Sequence, residues 1–523
     1  MRRDRFGICG SRRRRRRVWE HSPRSRETAV HYEPTWESVR QHPLPTWYDD
    51  AKLGVFVHWG LYSVPGWAPQ VPDIQTMLVE DGPARMLSHN PYAEWYYNTM
   101  RVPGSPTQRH HRETYGPDFA YDRFIPMFDE GTARCDLDAI AELARAAGAG
   151  YVVLTSKHHD GFALWPSSVP HPVKGEYHAR RDLVGGLRDA VLARGMRMGL
   201  YYSGAWDWPY NEVVLRQGAD VVLATPEDPR YLAYVTAHWR ELIERYEPSL
   251  LWNDIGWPRD PALPGLFAEY YNAVPDGVIN DRWVQPTFTR NPVSVALLRG
   301  AGRAIQALWR FIPEKRKRLT FPGAAWYDFS TPEYESLGDI REKKWESTRG
   351  VGHSFGANRN ERPENIVTAA ELVRSLCDIV SKNGNLLIGV GPNESGAIPE
   401  EQAAPLRGLG TWMARNGDAL RGTRPWKIAS TVTDDGTEVR FTARDGVVHA
   451  LLLDRPGVRE FTLGGIDAAS VSEAVHLTTG VSLGRGERDG VLTLTLPDTA
   501  PDEDAYAIRL GPGVVLRGAA AAS

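Results

Sequence analysis

The sequence predicts an α/β fold, a (β/α)8-like barrel followed by a C-terminal antiparallel β-sandwich. Three observations carry this. From about residue 130, amphipathic helical stretches alternate with short continuous apolar runs, the pattern of parallel strands covered on both faces. The alternation runs on to the Pro425 region, a length that favours a barrel, although a doubly wound sheet shares the local pattern. Past Pro425 the texture changes to period-two alternation broken by Gly, Asp and Pro, as in stacked antiparallel sheets.

The elements follow in order. "LGVFVHWG" reads as a strand ending at His58. Asp136 can cap a helix whose apolar positions include Leu137, Ile140, Leu143 and Ala144, and Gly148 and Gly150 end it. "YVVLTS" is the next strand. The unit repeats with Asp182, a helix through Leu187 and Val191, a stop at Gly195, and "MGLYYS". It repeats again with a helix through Tyr231, Val235, Leu242 and Ile243, then "SLLW"; a helix around Leu266–Tyr271 leads to "GVINDRW". The stretch from Ile366 to Pro392 reads as one long helical pattern that finishes the first domain. Between these, 286–325 is basic and amphipathic and reads as an insertion over the barrel mouth. "EVRFTARDGVVHALLLDRPG", "EFTLGG" and "VLTLTLPD" supply sandwich strands. The expected organisation is a disordered Arg-rich tail at 1–30, a catalytic barrel at 31–424, a β-sandwich at 425–515 and a disordered tail at 516–523.

At 523 residues the chain is too long for one ordinary core, and 42% hydrophobic with 24% charged residues is a globular composition. A net charge of −3 argues against general nucleic-acid binding. That figure hides eleven Arg against Asp4, Glu20 and Glu27 in the first 30 residues. No apolar core follows this Arg run, so the expectation is a solvated tail and not a secretory signal, with a nucleic-acid or membrane tether as the alternative. Cys9, Cys135 and Cys377 are too scattered for a disulfide framework or metal cluster. No apolar stretch is long enough to span a membrane. A reducing cytoplasm is the expected compartment, and an oligomer of identical chains is compatible with the sequence.

Polar residues at the ends of the expected strands form the candidate site, because barrel chemistry sits at C-terminal strand ends. They are His58, the adjacent His158 and His159, Tyr201 with Tyr202, Asp207, Asp254, and Asp281 with Arg282. Glu94 beside Trp95, and Glu333 with Glu335, lie outside that series. A lone strand-end histidine is more often structural. His158 and His159 reach one site only if the strand has ended before them. Arg282 could serve simply as an ion-pair partner for Asp281. Two carboxyl groups among His, Tyr, Arg and Trp fit glycoside hydrolysis, which needs two carboxyls across one bond. No phosphate-cradling Gly-rich loop accompanies them.

The motifs "KLGVFVHWG", "PYAEWYYN", "YVVLTSKHHDGFALWPS", "GLYYSGAWDW", "LWNDIGWP", "NDRW" and "KWESTRGVGHSFGANRNE", in that order, resemble those of the α-L-fucosidases of glycoside hydrolase family 29. The likeness runs from about Trp36 to about Gly422. It implies a retaining double displacement on α-linked L-fucose with no metal or other cofactor. It implies that Asp254 is the nucleophile and that His58, Glu94, Trp95, His158, His159, Tyr201, Trp252 and Arg282 bind the sugar. Phe355 matches an aromatic against the fucose methyl. "TPEY" favours Glu333 as acid/base, with Glu335 as the alternative if the segment is extended. The expected partner is a fucosylated oligosaccharide or glycoconjugate, with neither nucleic acid nor membrane. Two rival readings stay open. One is a metal-dependent barrel hydrolase with His58, His158, His159, Asp207 and Asp254 as ligands. The other is a fucose-binding protein without catalysis.

Overall fold

The computed structural model describes residues 30–211, 213–287, 290–317, 323–498 and 500–517. Of the expected tails 1–30 and 516–523, residues 1–29 and 518–523 lie outside them, while Leu516 bridges Ile466 and Arg517 N donates to Gly465 O. Seven parallel strands form one curled sheet: β1 Leu53–Val57, β2 Tyr151–Lys157, β3 Arg197–Ser203, β4 Leu250–Asp254, β5 Val278–Ile279, β6 Trp345–Gly350 and β7 Gly384–Val390. Their order is β5-β4-β3-β2-β1-β7-β6. Between the outer strands β5 and β6 runs the segment 328–334. It bridges Asn280 through Phe329, and Trp345 and Thr348 through Ser330 and Glu333, all in parallel. This eighth stave closes the barrel.

Period-two alternation decides what faces inward. Phe56, Tyr151, Val153, Tyr201, Leu250, Trp252, Phe329 and Leu387 share a buried cluster inside the barrel with Tyr48. Their strand neighbours Val55, Val57, Val152, Leu154, Leu200, Tyr202 and Leu251 join the larger core under the helices. Those helices start as the sequence predicts. The Asp136 side chain accepts from Ala139 N and that of Asp182 from Gly185 N, and Gly148 ends the first helix in the left-handed conformation at φ 88°. On β4, Leu250, Trp252 and Asp254 therefore share the inner face.

Two expectations need correction. The stretch 366–392 is not one helix. Helix Ala369–Ser381 ends, Asn383 turns the chain at φ 72°, and "GNLLIGV" is β7 between β1 and β6. The stretch 286–325 is more than a loop. It holds helix Pro292–Leu308, none of whose residues is buried. Its Gln306, and Trp309 and Lys317 beyond its end, donate to the carbonyls of Asp81, Leu78 and Val79 in turn, at the end of helix Ile74–Asp81. Arg290 donates to Leu223 O and Val222 O. The segment braces a wall beside the barrel mouth by satisfying helix-end carbonyls.

The C-terminal part packs a five-stranded antiparallel sheet against a three-stranded one around Phe441, Leu452, Phe461, Leu494 and Ile508. Strands 438–444, 447–452, 460–467 and 491–495 fall where the period-two stretches lie. Trp412 of the barrel part donates to Ala505 O. Among the described residues no helix is long and apolar enough to cross a membrane.

Candidate active site

The C-terminal strand ends converge on a cavity of about 110 Å³. Every residue expected to bind the sugar or react lines it: His58, Glu94, Trp95, His158, His159, Tyr201, Trp252, Asp254, Arg282, Glu333 and Phe355. Asp254 is 7% exposed. Its Oδ1 accepts from Arg282 Nη1 at 2.9 Å and Ile255 N at 2.8 Å; its Oδ2 accepts from Tyr201 OH at 2.8 Å. Ile255 has φ 62°, a left-handed conformation that costs a β-branched residue ~1–3 kcal/mol. The chain turns sharply there, just past the inward-facing carboxylate.

Arg282 organises the site. Its Nη1 also pairs with Glu333 Oε1 at 2.6 Å, while Nε and Nη2 donate to Thr331 Oγ1 and O. Asp254 Oδ1 and Glu333 Oε1 therefore lie no farther apart than the sum of their distances to that nitrogen, 5.5 Å. Burial works against the guanidinium charge, but Glu333, Asp254 and Asp281 outweigh it and hold its pKa above the ordinary value. Asp281, the partner that the sequence offers for Arg282, adds to the negative charge around the guanidinium. It also accepts from Thr331 N and Oγ1 and fixes the stave that carries Glu333.

Burial favours the neutral form of the three histidines. Burial pushes His58 down to about 3, despite the Asp254 charge. It lowers His158 and His159 too, and neighbouring positive charge adds to the effect. Nδ1 of both His58 and His158 is buried without a hydrogen-bond partner, so each ring keeps polar capacity for a ligand. β2 ends at Lys157, which frees the next two residues from strand alternation. The His158 and His159 rings lie 3.9 Å apart, with His159 Nδ1 on Ser203 Oγ at 2.7 Å. Tyr201 points into the cavity, whereas the Tyr202 hydroxyl meets His238 Nδ1 outside the barrel.

Glu335 is exposed and does not line the cavity. Tyr334, at φ 50°, breaks the extended run that would have put it on the face of Glu333. Asp207 is also elsewhere. Buried with Lys157 at 3.1 Å and His171 at 3.0 Å, it is held well below the usual carboxylate range against the pull of burial. Among the described residues no group of three or more His, Cys, Asp or Glu is arranged to hold a metal ion.

Sequence reasoning missed the cavity's apolar wall. Ile74, Met86, Leu87, Tyr92, Trp206, Val221 and Ile255 line it together with Phe56 and Thr348. The first three belong to short helices in a stretch without barrel periodicity, so no strand-end rule could find them. Residues 352–356, "GHSFG", have the spacing of a nucleophilic serine turn. Ser354 serves Glu94 instead: its Oγ donates to Glu94 Oε2 at 3.1 Å, and Gly356 N donates to the same oxygen at 2.9 Å.

Burial raises Glu94 from 4.5 to about 7, against those donors. A folded pKa above the unfolded one means that its contribution to stability is whole below about 4.5 and is lost as pH rises through about 7. The variant Glu94→Gln escapes that loss. Its Tm relative to wild type should climb as pH rises from about 4.5 to about 7, read by calorimetry, and a flat difference would contradict the burial argument.

A closed barrel with two carboxyl groups across a small, aromatic-lined cavity at its strand ends is the site of a glycoside hydrolase. A family model described as Alpha-L-fucosidase matches residues 21–418. The rat tissue alpha-L-fucosidase is 30% identical over 92% of both chains. The crystal structure of Thermotoga maritima alpha-fucosidase with fucose is 36% identical, with a TM-score of 0.76, covering 92% of this chain and 100% of that one. The same enzyme with a mechanism-based inhibitor gives 36% identity and a TM-score of 0.74, over 91% and 99% of the two chains. The chain belongs to the alpha-L-fucosidase family, and its activity is that of an alpha-L-fucosidase.

Proposed function

We propose that the protein releases terminal α-linked L-fucose from glycans by a retaining double displacement. The observation that carries this is the shared Arg282 nitrogen. An Oδ1–Oε1 separation of at most 5.5 Å is the range of retaining glycosidases, ~5–5.5 Å, and falls short of the ~6.5–9.5 Å of inverting ones. Asp254 attacks C1 and forms a fucosyl ester while Glu333 protonates the departing oxygen. Glu333 then takes a proton from water, which cleaves the ester. Tyr201 and Arg282 hold Asp254 for the attack, and Arg282 ties its position to that of Glu333.

The neutral His58 and His158 hydrogen-bond sugar hydroxyls, as do His159 and Glu94. Trp95, Trp252 and Phe355 cover the apolar faces, Phe355 against the C6 methyl. The cavity's size supports one ring and hence an exo action. A second cavity of about 660 Å³ shares Val221, Asp254, Ile255 and Arg282 with it and gives the leaving group room. The relative solved with fucose and that solved with a mechanism-based inhibitor support the same reading. Proton NMR during hydrolysis of an aryl α-L-fucoside tests it. The α-anomer of fucose should appear first, and initial β-fucose would mean single displacement.

A further inference from the structure

The mechanism leaves one acid at the centre of the barrel unused. Glu346 lies on β6, fully buried, on the inner face shared with Thr348 of the cavity wall. Three donors converge on it. Tyr48 OH, at 2.9 Å, and Tyr151 OH reach Oε2; the Trp252 indole N–H reaches Oε1 at 3.0 Å. The tyrosines come from below the barrel floor and from β2, so the carboxylate is fixed from two sides. Gly54 makes this approach feasible, since a Cβ there would lie 2.4 Å from the Tyr151 ring.

Trp252 links this acid to the reacting carboxylate. The Tyr201 ring stacks on it at 5.5 Å and 25°, and the Arg282 guanidinium sits 4.7 Å over its face. Those two residues hold the two oxygens of Asp254. An indole N–H is a donor only, so the ring's rotation is set by whichever acceptor it finds. An anion at that N–H also enriches the ring face on which the Arg282 cation rests. We propose that Glu346 is a positioning residue for the reaction, fixing the Trp252 indole on which Tyr201 and Arg282 rest.

Burial lifts the Glu346 carboxyl to about 7, while donation from Tyr151, Trp252 and Tyr48 and the Arg282 charge pull the other way. A carboxylate in so apolar a place is sustained by these donors, not by water.

The inference rests on Asp254 as nucleophile, and the test separates the two. In the full-length enzyme Glu346→Gln keeps the shape but offers only one acceptor oxygen. A small displacement of a reacting group costs up to about 10²-fold, so kcat on 4-nitrophenyl α-L-fucoside should fall about 10- to 100-fold, with KM within about twofold. In a Trp252→Phe background, which lacks the N–H, the same change should cost less than about threefold more. An undiminished cost in that background, or wild-type kcat in the single variant, overturns the proposal. Should Trp252→Phe not fold, Glu346→Asp replaces it. That change keeps the charge but withdraws it from the indole, so it should lose as much kcat as Glu346→Gln, and wild-type turnover would overturn the proposal. Asp254→Gly is measured in parallel. Turnover in that variant removes the nucleophile assignment. An inactive Asp254→Gly beside a fully active Glu346→Gln removes only the role of Glu346.

Discussion

Replacing Asp254 with glycine abolishes fucoside hydrolysis and leaves the fold intact. The loss in kcat should be on the order of 10⁴-fold or more, the scale seen when a nucleophile is deleted from an organised site. The fold survives because Arg282 does not lose all its compensation. Glu333 remains at 2.6 Å and Thr331 accepts two of its other N–H groups. The variant thus avoids the ~3–5 kcal/mol cost of leaving a buried charge unpaired. The space once filled by the carboxylate opens between Tyr201 and Arg282, and azide can enter it. Azide then bonds to C1 from the face opposite the leaving group, which departs with the proton from Glu333. The product is a β-fucosyl azide, and part of the rate returns with azide concentration. Circular dichroism and a steady-state assay with and without azide check both halves. Near wild-type turnover without azide would remove Asp254 from the mechanism.

How much of this site the sequence discloses depends on where each residue sits. The inner face of β4 is legible because Leu250, Trp252 and Asp254 follow the parity of a short apolar run. The same parity separates Tyr201 from Tyr202, but only once one strand residue is known to face inward. His158 and His159 are legible as a pair because Asp160-Gly161 marks the end of the strand.

Legibility fails in three physical situations. The stave 328–334 is polar and contains Pro332, so it lacks a strand's apolar signal; its pairing comes from the barrel's need to close. β7 is as apolar as the helix before it, and only the turn at Asn383 divides them. The apolar wall from Ile74 to Leu87 is held by carbonyl contacts to Trp309 and Gln306, more than 220 positions away. No local pattern encodes such a contact. Arg282 shows the last of these as well. The sequence offers Asp281 as its neighbour, while the fold gives it Asp254 and Glu333.

Glu333→Ala should slow the enzyme according to its leaving group. General acid catalysis contributes about 10²–10⁴-fold, and only a poor leaving group needs all of it. On fucosylated oligosaccharides kcat/KM should fall by about that range, whereas an activated aryl fucoside should lose far less in kcat/KM. With the aryl substrate the first step still proceeds, and the fucosyl ester on Asp254 accumulates because water lacks its base. Azide needs no base, so it cleaves that ester from the opposite face and yields an α-fucosyl azide. The two variants therefore give azides of opposite anomeric configuration from one substrate, and NMR of the products assigns both carboxyls in a single comparison. Glu335→Ala serves as the control. Its residue is exposed beyond the turn at Tyr334, so its rates should stay within about twofold of wild type on both substrates, as for surface changes away from a site. If Glu335→Ala instead shows the leaving-group dependence, the turn at Tyr334 does not hold in solution and the acid lies two residues farther along.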